Sequence, residues 1–356
     1  MVHVLFTLQS GCRKVRKEAL RRQGEGRDRM IVEISQRKEA AQLFEGWQES
    51  LIWSCLQNVM GKLYADAKEN PTSAMILLGD FAFPAGEVNR ELILQGPKMY
   101  RQAMYRDGRA GEAAEVKDSR AGEEAEVEDS HKGEAAEVGD DHKGEAAEAG
   151  DGYERKEEAI IDSSAKEQAA GEKGRMEGII VPQNEAWADL IEESYGKKAK
   201  RVTRYAIKKE PGIFDKEKLL AVVDGLPDDY ELRMIDEELF YRCGKIEWCR
   251  DWVSNYENYT MYQKYGLGAV LLKDGEPVSG AASYSGFLGG IEIEIDTRED
   301  YRRKGLAYIC GAKLILECMA RNWYPSWDAQ NKWSVALAQK LGYHFDHEYP
   351  AYEIYT

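Results

Sequence analysis

Residues 289–307, GGIEIEIDTREDYRRKGLA, decide how the rest of the chain is read. Isoleucine alternates with acid across residues 291–296, the period of a strand with one buried face. Ile291, Ile293 and Ile295 therefore face one side, and Glu292, Glu294 and Asp296 the other. The strand runs into Arg302, Arg303 and Lys304, then Gly305, Leu306 and Ala307, and then an apolar run from Tyr308 to Met319 suited to a buried helix. A strand, a basic turn and a helix N-terminus together form an anion site. Amides of the first helical turn point outward, the dipole favours negative charge, and glycine at 305 lets a phosphate approach the main chain. A pyrophosphate suits such a turn.

Composition narrows what surrounds this site. The 356 residues carry a formal charge of −15, unevenly spread. Residues 109–151 hold 15 acids and 5 bases, so the remainder is only mildly acidic, without the concentrated lysine and arginine that phosphate backbones require; nucleic acid is not expected as a partner. The six cysteines show no paired or zinc-like spacing and read as reduced core residues. His344 and His347 form a loose HxxH whose members face opposite sides of a strand, so no metal is expected. No apolar run approaches the roughly 18 residues of a membrane span. The start has its apolar stretch ahead of its basic cluster, the reverse of a secretory signal. The expected location is the cytoplasm, with no membrane partner.

The chain also repeats itself. Units beginning at Gly111, Gly122, Gly133 and Gly144 offer little but alanine to bury and read as a self-solvating acidic insertion. On either side of it two segments echo each other. Residues 61–87 and 268–290 both read as strand, turn, strand, the second with Asp274-Gly275 as its hairpin turn. VPQNEAWADLIEESYG and WDAQNKWSVALAQKLGY both place Gln-Asn before an amphipathic helix, and each precedes a closing strand, RVTRYAIKK or EYPAYEIYT. Two copies of one α+β unit account for this. The basic turn is present only in the second, and the acidic repeats are expected at its counterpart in the first. The resulting layout is a basic arm over 1–29 outside the fold, an N-terminal unit over 30–227 interrupted at about 97–177, and a C-terminal unit over 228–356.

Arg302, Gly305 and Ala307, followed by Asn331, Ser334, Leu337, Lys340, Gly342 and Tyr343, resemble the coenzyme A turn and following helix of GNAT-type N-acetyltransferases. The whole chain, over about 30–95 and 178–356, is similar to the bacterial subfamily of zwittermicin A resistance-like acetyltransferases. The resemblance implies tandem mixed-sheet units, the first degenerate, and acetyl-CoA as co-substrate held by Arg302, Arg303, Lys304, Gly305, Leu306, Ala307 and Asn331. It also implies acetyl transfer to a small-molecule primary amine by direct attack in a ternary complex. Where the family's helix carries a tyrosine to protonate the thiolate, this chain has Ala338. A thiol pKa of roughly 8.5 lets water supply that proton, and Ser334, one turn earlier on the same face, is another candidate.

Attack by an amine calls for a general base, and the acidic face of the opening strand supplies Glu294 and Glu292. Amides near the strand's end, at Ile295 and Thr297, are placed to polarise a thioester carbonyl. Tyr256, Tyr259, Tyr262 and Tyr265, spaced by three, read either as core or as the lining of a pocket for a cation, and Trp327-Asp328 is equally open. The rival to an enzyme is a non-catalytic acyl-CoA-binding or interaction module, which Ala338 would suit.

Overall fold

The computed structural model describes residues 30–106 and 174–356, so the N-terminal arm and the acidic repeats lie outside the described residues. The first half contains β1 (Val32–Glu33), α1 (Lys38–Ala41), α2 (Ser50–Leu56), β2 (Lys62–Ala65), β3 (Ser73–Leu78) and β4 (Phe81–Gly86). It continues through α3 (Arg90–Arg106), β5 (Met176–Ile180), α4 (Glu185–Tyr195) and β6 (Ala199–Ile207). A connecting helix, α5 (Lys216–Asp224), leads to β7 (Glu231–Met234), α6 (Glu237–Cys243), α7 (Tyr259–Tyr265), β8 (Gly268–Lys273), β9 (Glu276–Phe287) and β10 (Gly290–Thr297). The chain then forms α8 (Leu306–Ala320), β11 (Tyr324–Ser326), β12 (Asp328–Ala329), α9 (Lys332–Leu341) and β13 (Phe345–Tyr355). The same succession of elements thus occurs twice, in a mixed α+β fold.

Local chemistry explains the boundaries. Asn184 and Asn331 cap their helices alike: the Asn184 side chain accepts from the amides of Ala186 and Trp187, and that of Asn331 from the amide of Ser334. Asp274 and Gly275 both have positive φ, 52° and 79°, which is the tight turn that joins β8 to β9. In α8 the residues are apolar almost all round, and Leu306, Ile309, Cys310, Leu314, Ile315 and Cys318 are buried against Ile291 and Ile293 of β10. Cys55, Cys243 and Cys249 are likewise free and buried. The tyrosine series is core: Tyr256 and Tyr262 are buried with their rings 5.0 Å apart, and Tyr259 and Tyr265 pack against the same cluster.

Two details differ from the expected layout. Residues 61–87 make three strands, because Gly79, with φ of 57°, turns the chain between β3 and β4 as well. The acidic repeats follow α3 and not the turn after β4; that turn is only residues 87–89, and Asn89 starts α3 directly by accepting from the amide of Leu92.

The two copies are not separate sheets. One sheet has the order β1-β2-β3-β4-β5-β13-β6-β12 and the other β11-β10-β9-β8-β7. The closing strand of the second copy, β13, lies between β5 and β6 of the first, while β6 of the first pairs with β12, the continuation of β11. Each copy therefore lends its last strand to the other. Thr203 pairs with Pro350, and these two are separated in the chain by the same interval as Asn184 and Asn331, so a local two-fold passes through that pair. Tyr352 of β13 is fully buried, with Ile354 of the same strand, in a core built mainly from the first half, beside Met75, Leu77, Trp187 and Ile191, and its hydroxyl donates to Glu192 at 2.6 Å.

Tyr352→Ala should accordingly destabilise by about 3–5 kcal/mol, the range for losing a large buried aromatic, although it lies only four residues before Thr356. Hydrogen exchange should show the lost protection in β3, β4 and β5. Loosening confined to α9 and β13 would contradict the exchanged arrangement.

Candidate active site

The strand that opened the sequence ends in a fork. β10 pairs in parallel with β11 only at Gly290, Ile291 and Glu292, opposite Tyr324, Pro325 and Ser326. Beyond Ser326 the neighbouring chain turns away to pair with β6 instead. Which groups of β10 face the gap follows from two bonds. The amide of Arg298 donates to Val278 on the β9 side, and the amide of Tyr324 donates to Gly289 on the β11 side. Odd-numbered main-chain groups thus face the fork, and the amides of Ile293, Ile295 and Thr297 point into it. Sequence reasoning singled out two of these three.

The turn at the mouth of the fork is built for an anion. Arg303 and Gly305 both have left-handed backbone, with φ of 61° and 80°, on either side of Lys304. This alternation turns successive amides to one side, and the first-turn amides at Leu306 and Ala307 extend the set. No protein atom lies within 4 Å of where a side chain at Gly305 would begin, so the cradle is open. Arg302 reaches back to the Thr297 carbonyl at 3.4 Å, and Tyr301 is flanked by the cations of Arg298 and Lys304, 4.6 and 4.3 Å from its ring. These residues fit a coenzyme pyrophosphate. Asn331 has its side-chain oxygen committed to capping α9.

The acids of β10 face the opposite side from α8. Glu292 is buried at the apex of the fork, where it accepts a hydrogen bond from the Ser50 hydroxyl of the first half's α2. Glu294, half-buried farther along, is pushed well above the usual carboxylate range by burial and by Asp296 and Asp251 beside it; Asp296 is raised by burial and then by Asp251, with Glu294 and Arg302 opposing. Ser334 accepts from the Trp327 indole at 3.1 Å, which leaves its own proton free to donate. Ala338 is fully buried in the core. His344 and His347 are each joined to a carboxylate, Glu210 and Asp346. Among the described residues no metal-holding group of His, Cys, Asp and Glu is found, and no helix is long and apolar enough to cross a membrane.

Next to the fork, sequence reasoning missed an ionic cluster made by both copies. Arg204 of β6 is bound to Asp328 of β12 at 2.7 Å, Tyr349 of β13 donates to the other oxygen of Asp328 at 2.7 Å, and the guanidinium lies 4.8 Å over the Phe81 ring. Lys209 donates to the Trp327 carbonyl at 3.0 Å. Glu49, which caps α2, is buried and pushed up to about 8, first by burial and then by Glu292 and Asp328, with Lys209 and the Leu51 amide opposing. Glu49, Lys209, Asp328 and Tyr349 line a cavity of about 930 Å³. Only Asp328 carried a signal in the sequence, through its place before Asn331; Glu49 reads there as an ordinary cap.

The first copy shows what disables such a fork. In register, Phe81 opposite Ile179 corresponds to Glu292 opposite Ser326, so Phe81 and Phe83 stand for Glu292 and Glu294. Pro84 then stands for Ile295 and has no amide to offer, while the Gly86 amide, counterpart of Thr297, is already donated to Gln183 at 3.0 Å. Trp187, the third residue after the capping asparagine as Ser334 is in the second copy, is fully buried and donates to the Gly86 carbonyl at 3.1 Å. The degenerate copy is closed by its own side chains.

The model of the GNAT acetyltransferase family matches residues 41–108 and 129–352. The chain is 36% identical to a GCN5-related N-acetyltransferase-like protein from Streptococcus suis 89/1591, a solved structure, over 90% of this chain and 98% of that one, with a TM-score of 0.65. It is also 29% identical over 181 residues to the uncharacterized N-acetyltransferase YdfB of Bacillus subtilis (strain 168). That match spans 49% of this chain and 64% of the relative's length.

Ser334→Trp should copy the plug of the first half into the second. Coenzyme A at about 100 times its dissociation constant should raise the stability of the parent protein by roughly 2.7 kcal/mol. The shift should vanish in Ser334→Trp and in Gly305→Val, where a branched side chain enters the cradle on left-handed backbone. A full shift in either folded variant would place the coenzyme elsewhere.

Proposed function

The chain belongs to the GNAT acetyltransferase family, and from that premise we propose that it transfers the acetyl group of acetyl-CoA to a primary amine bound in the same complex. The observation that carries this reading is the fork itself. Its mouth is the open, left-handed basic turn, its edge offers the amides of Ile295 and Thr297, and Glu292, on the acid face of β10, lies beside Glu49 and Asp328 of the neighbouring cavity's lining.

Arg302, Arg303, Lys304 and the amides of Gly305, Leu306 and Ala307 would hold the coenzyme's pyrophosphate, and acetyl-CoA supplies an acyl carbon activated by a thiolate leaving group. The Ile295 and Thr297 amides would polarise its carbonyl, a contribution that needs no rearrangement because the strand already fixes them. As the nitrogen–carbon bond forms and the carbon–sulfur bond breaks, the amine's proton passes to Glu294, or to Glu292 one pleat closer to the apex. Glu294 is preferred because it lies beyond the last β10–β11 pair, and a carboxyl raised by burial is the stronger base when ionised. With a thiol pKa of roughly 8.5 the thiolate can leave before it is protonated, steadied by a hydrogen bond from the Ser334 hydroxyl, and it then takes its proton from water.

Within the family, the N-terminal half ending in VPQNEAWADLIEESYG supports the narrower likeness to zwittermicin A resistance-like acetyltransferases. Free, buried cysteines suit a reducing compartment and hence the cytoplasm. Core burial of Ala338 is the feature that a non-catalytic acyl-CoA-binding module would share, and turnover separates the two readings.

Glu294→Gln keeps shape and removes the base. Turnover should fall about 10²- to 10⁴-fold, with acetyl-CoA affinity nearly unchanged and partial rescue at high pH, where free amine is abundant. Glu292→Gln tests the alternative in the same assay. Near-normal rates at neutral pH for both would leave catalysis to positioning and the backbone amides.

A further inference from the structure

We propose that the acceptor's ammonium group is recognised by Glu49, a residue of the first copy, at the floor of the cavity beside the second copy's fork. The proposal rests on the acetyl-transfer reading and adds the side from which the acceptor comes and the residue that receives it.

Position comes first. Ser50, next to Glu49 in the chain, is bonded to Glu292, and Glu292 is the last residue of β10 to pair with β11. The start of α2 is thereby tied to the apex of the fork, and Glu49, only 8% exposed, lines the cavity there. Ser285 and Ser326, the residues opposite Glu292 on its two neighbouring strands, are fully buried, and their hydroxyls have no partner among the described residues. They lie on the same face as Glu292. Buried polar groups are ordinarily satisfied, so these two hydroxyls leave hydrogen-bonding capacity to spare around Glu292.

Charge comes second. Four groups face Glu49: Glu292 on β10, Asp328 on β12, Tyr349 on β13 and Lys209 just after β6. Asp328 is already matched by Arg204 and Tyr349, and Lys209 spends a hydrogen bond on the Trp327 carbonyl. Among the described residues no cation lies within ion-pair distance of Glu49, which leaves a buried carboxyl whose nearest charged company is mostly carboxylate. The cavity's rim repeats this sign, with Glu45, Glu185, Glu210 and Asp346 against Lys208 and Lys209. An acidic rim concentrates cations, and a buried, unmatched carboxyl at the floor selects one.

This arrangement carries a proton signature. With Glu49 raised to about 8, the free protein holds it protonated at neutral pH, and an arriving ammonium favours its ionised form. Binding of the cation therefore releases a proton below about pH 8 and none well above it, and apparent affinity rises with pH up to that value.

The test uses the full chain without coenzyme and 1,4-diaminobutane as the probe, titrated calorimetrically at pH 7 and pH 9 in buffers of different ionisation enthalpy. The parent protein should bind with release of close to one proton at pH 7 and almost none at pH 9. Glu49→Gln should bind at least about tenfold more weakly, with no release at either pH. Glu49→Asp, which keeps both the charge and the helix cap, should retain release. Should Glu49→Gln fail to fold, the contrast between the two pH values in the parent still decides. Absence of binding, or proton release that survives in Glu49→Gln, would overturn the assignment. The coenzyme A thermal shift, measured on the same preparations, reports separately on the acetyl-transfer reading: its loss in the parent protein would overturn that reading whatever the amine does.

Discussion

The antiparallel pairing of β6 with β13 is the contact on which the rest of the molecule depends. It joins the last strand of each copy, and through it β5 of the first copy and β12 of the second are held on the two flanks of one ladder. Because β12 is held by β6, the chain after Ser326 leaves β10, and that departure is the fork. The ionic cluster is pinned by the same ladder: Arg204 is directly opposite Tyr349, and Ala206 is directly opposite Asp328, so all three polar side chains share a face. A site assembled across a strand exchange needs both copies even though only one presents the coenzyme turn.

Much of this was legible in the sequence, and for identifiable reasons. The alternation through residues 291–296 and the turn ending at Gly305 are local: strand period, basic side chains and left-handed glycine are all written within twenty residues. The duplication was legible because Asn184 and Asn331 perform the same capping task and so keep the same neighbours. The exchange of closing strands was not. RVTRYAIKK and EYPAYEIYT look like ordinary strands whichever sheet receives them, since main-chain pairing carries no address. Glu49 was hidden for the opposite reason: its local role as a cap is sufficient explanation until Glu292 and Asp328, remote in sequence, are seen beside it. The repeats were expected at the missing turn because a helix rich in polar residues, with Pro97 inside it, gave no hint of continuing to Arg106.

The silent copy shows how few changes close a coenzyme fork. Its strand has a proline in place of one amide, a glutamine on another, a tryptophan in the gap and phenylalanines for the acids. None of these disturbs the sheet, and Trp187 and Phe83 are among its largest buried side chains. Losing a ligand site here amounts to gaining core, and burial of that kind stabilises by roughly 25 cal/mol for each Å² of apolar surface removed from water. The first copy traded chemistry for packing, and its acid at Glu49 faces the neighbour's site instead of its own.

Strand exchange also orders events during synthesis. While the ribosome is still making the second copy, β5 and β6 of the first lack the strand that lies between them, because β13 follows β6 by well over a hundred residues. Such edges are templates for pairing with the wrong chain. The nascent first half must therefore wait, exposed, for about 140 residues of further translation, which at about 5–20 residues per second is roughly seven to thirty seconds. Lys200, Arg201 and Arg204 along β6 place positive charge on the waiting edge strand, the usual defence against premature partners.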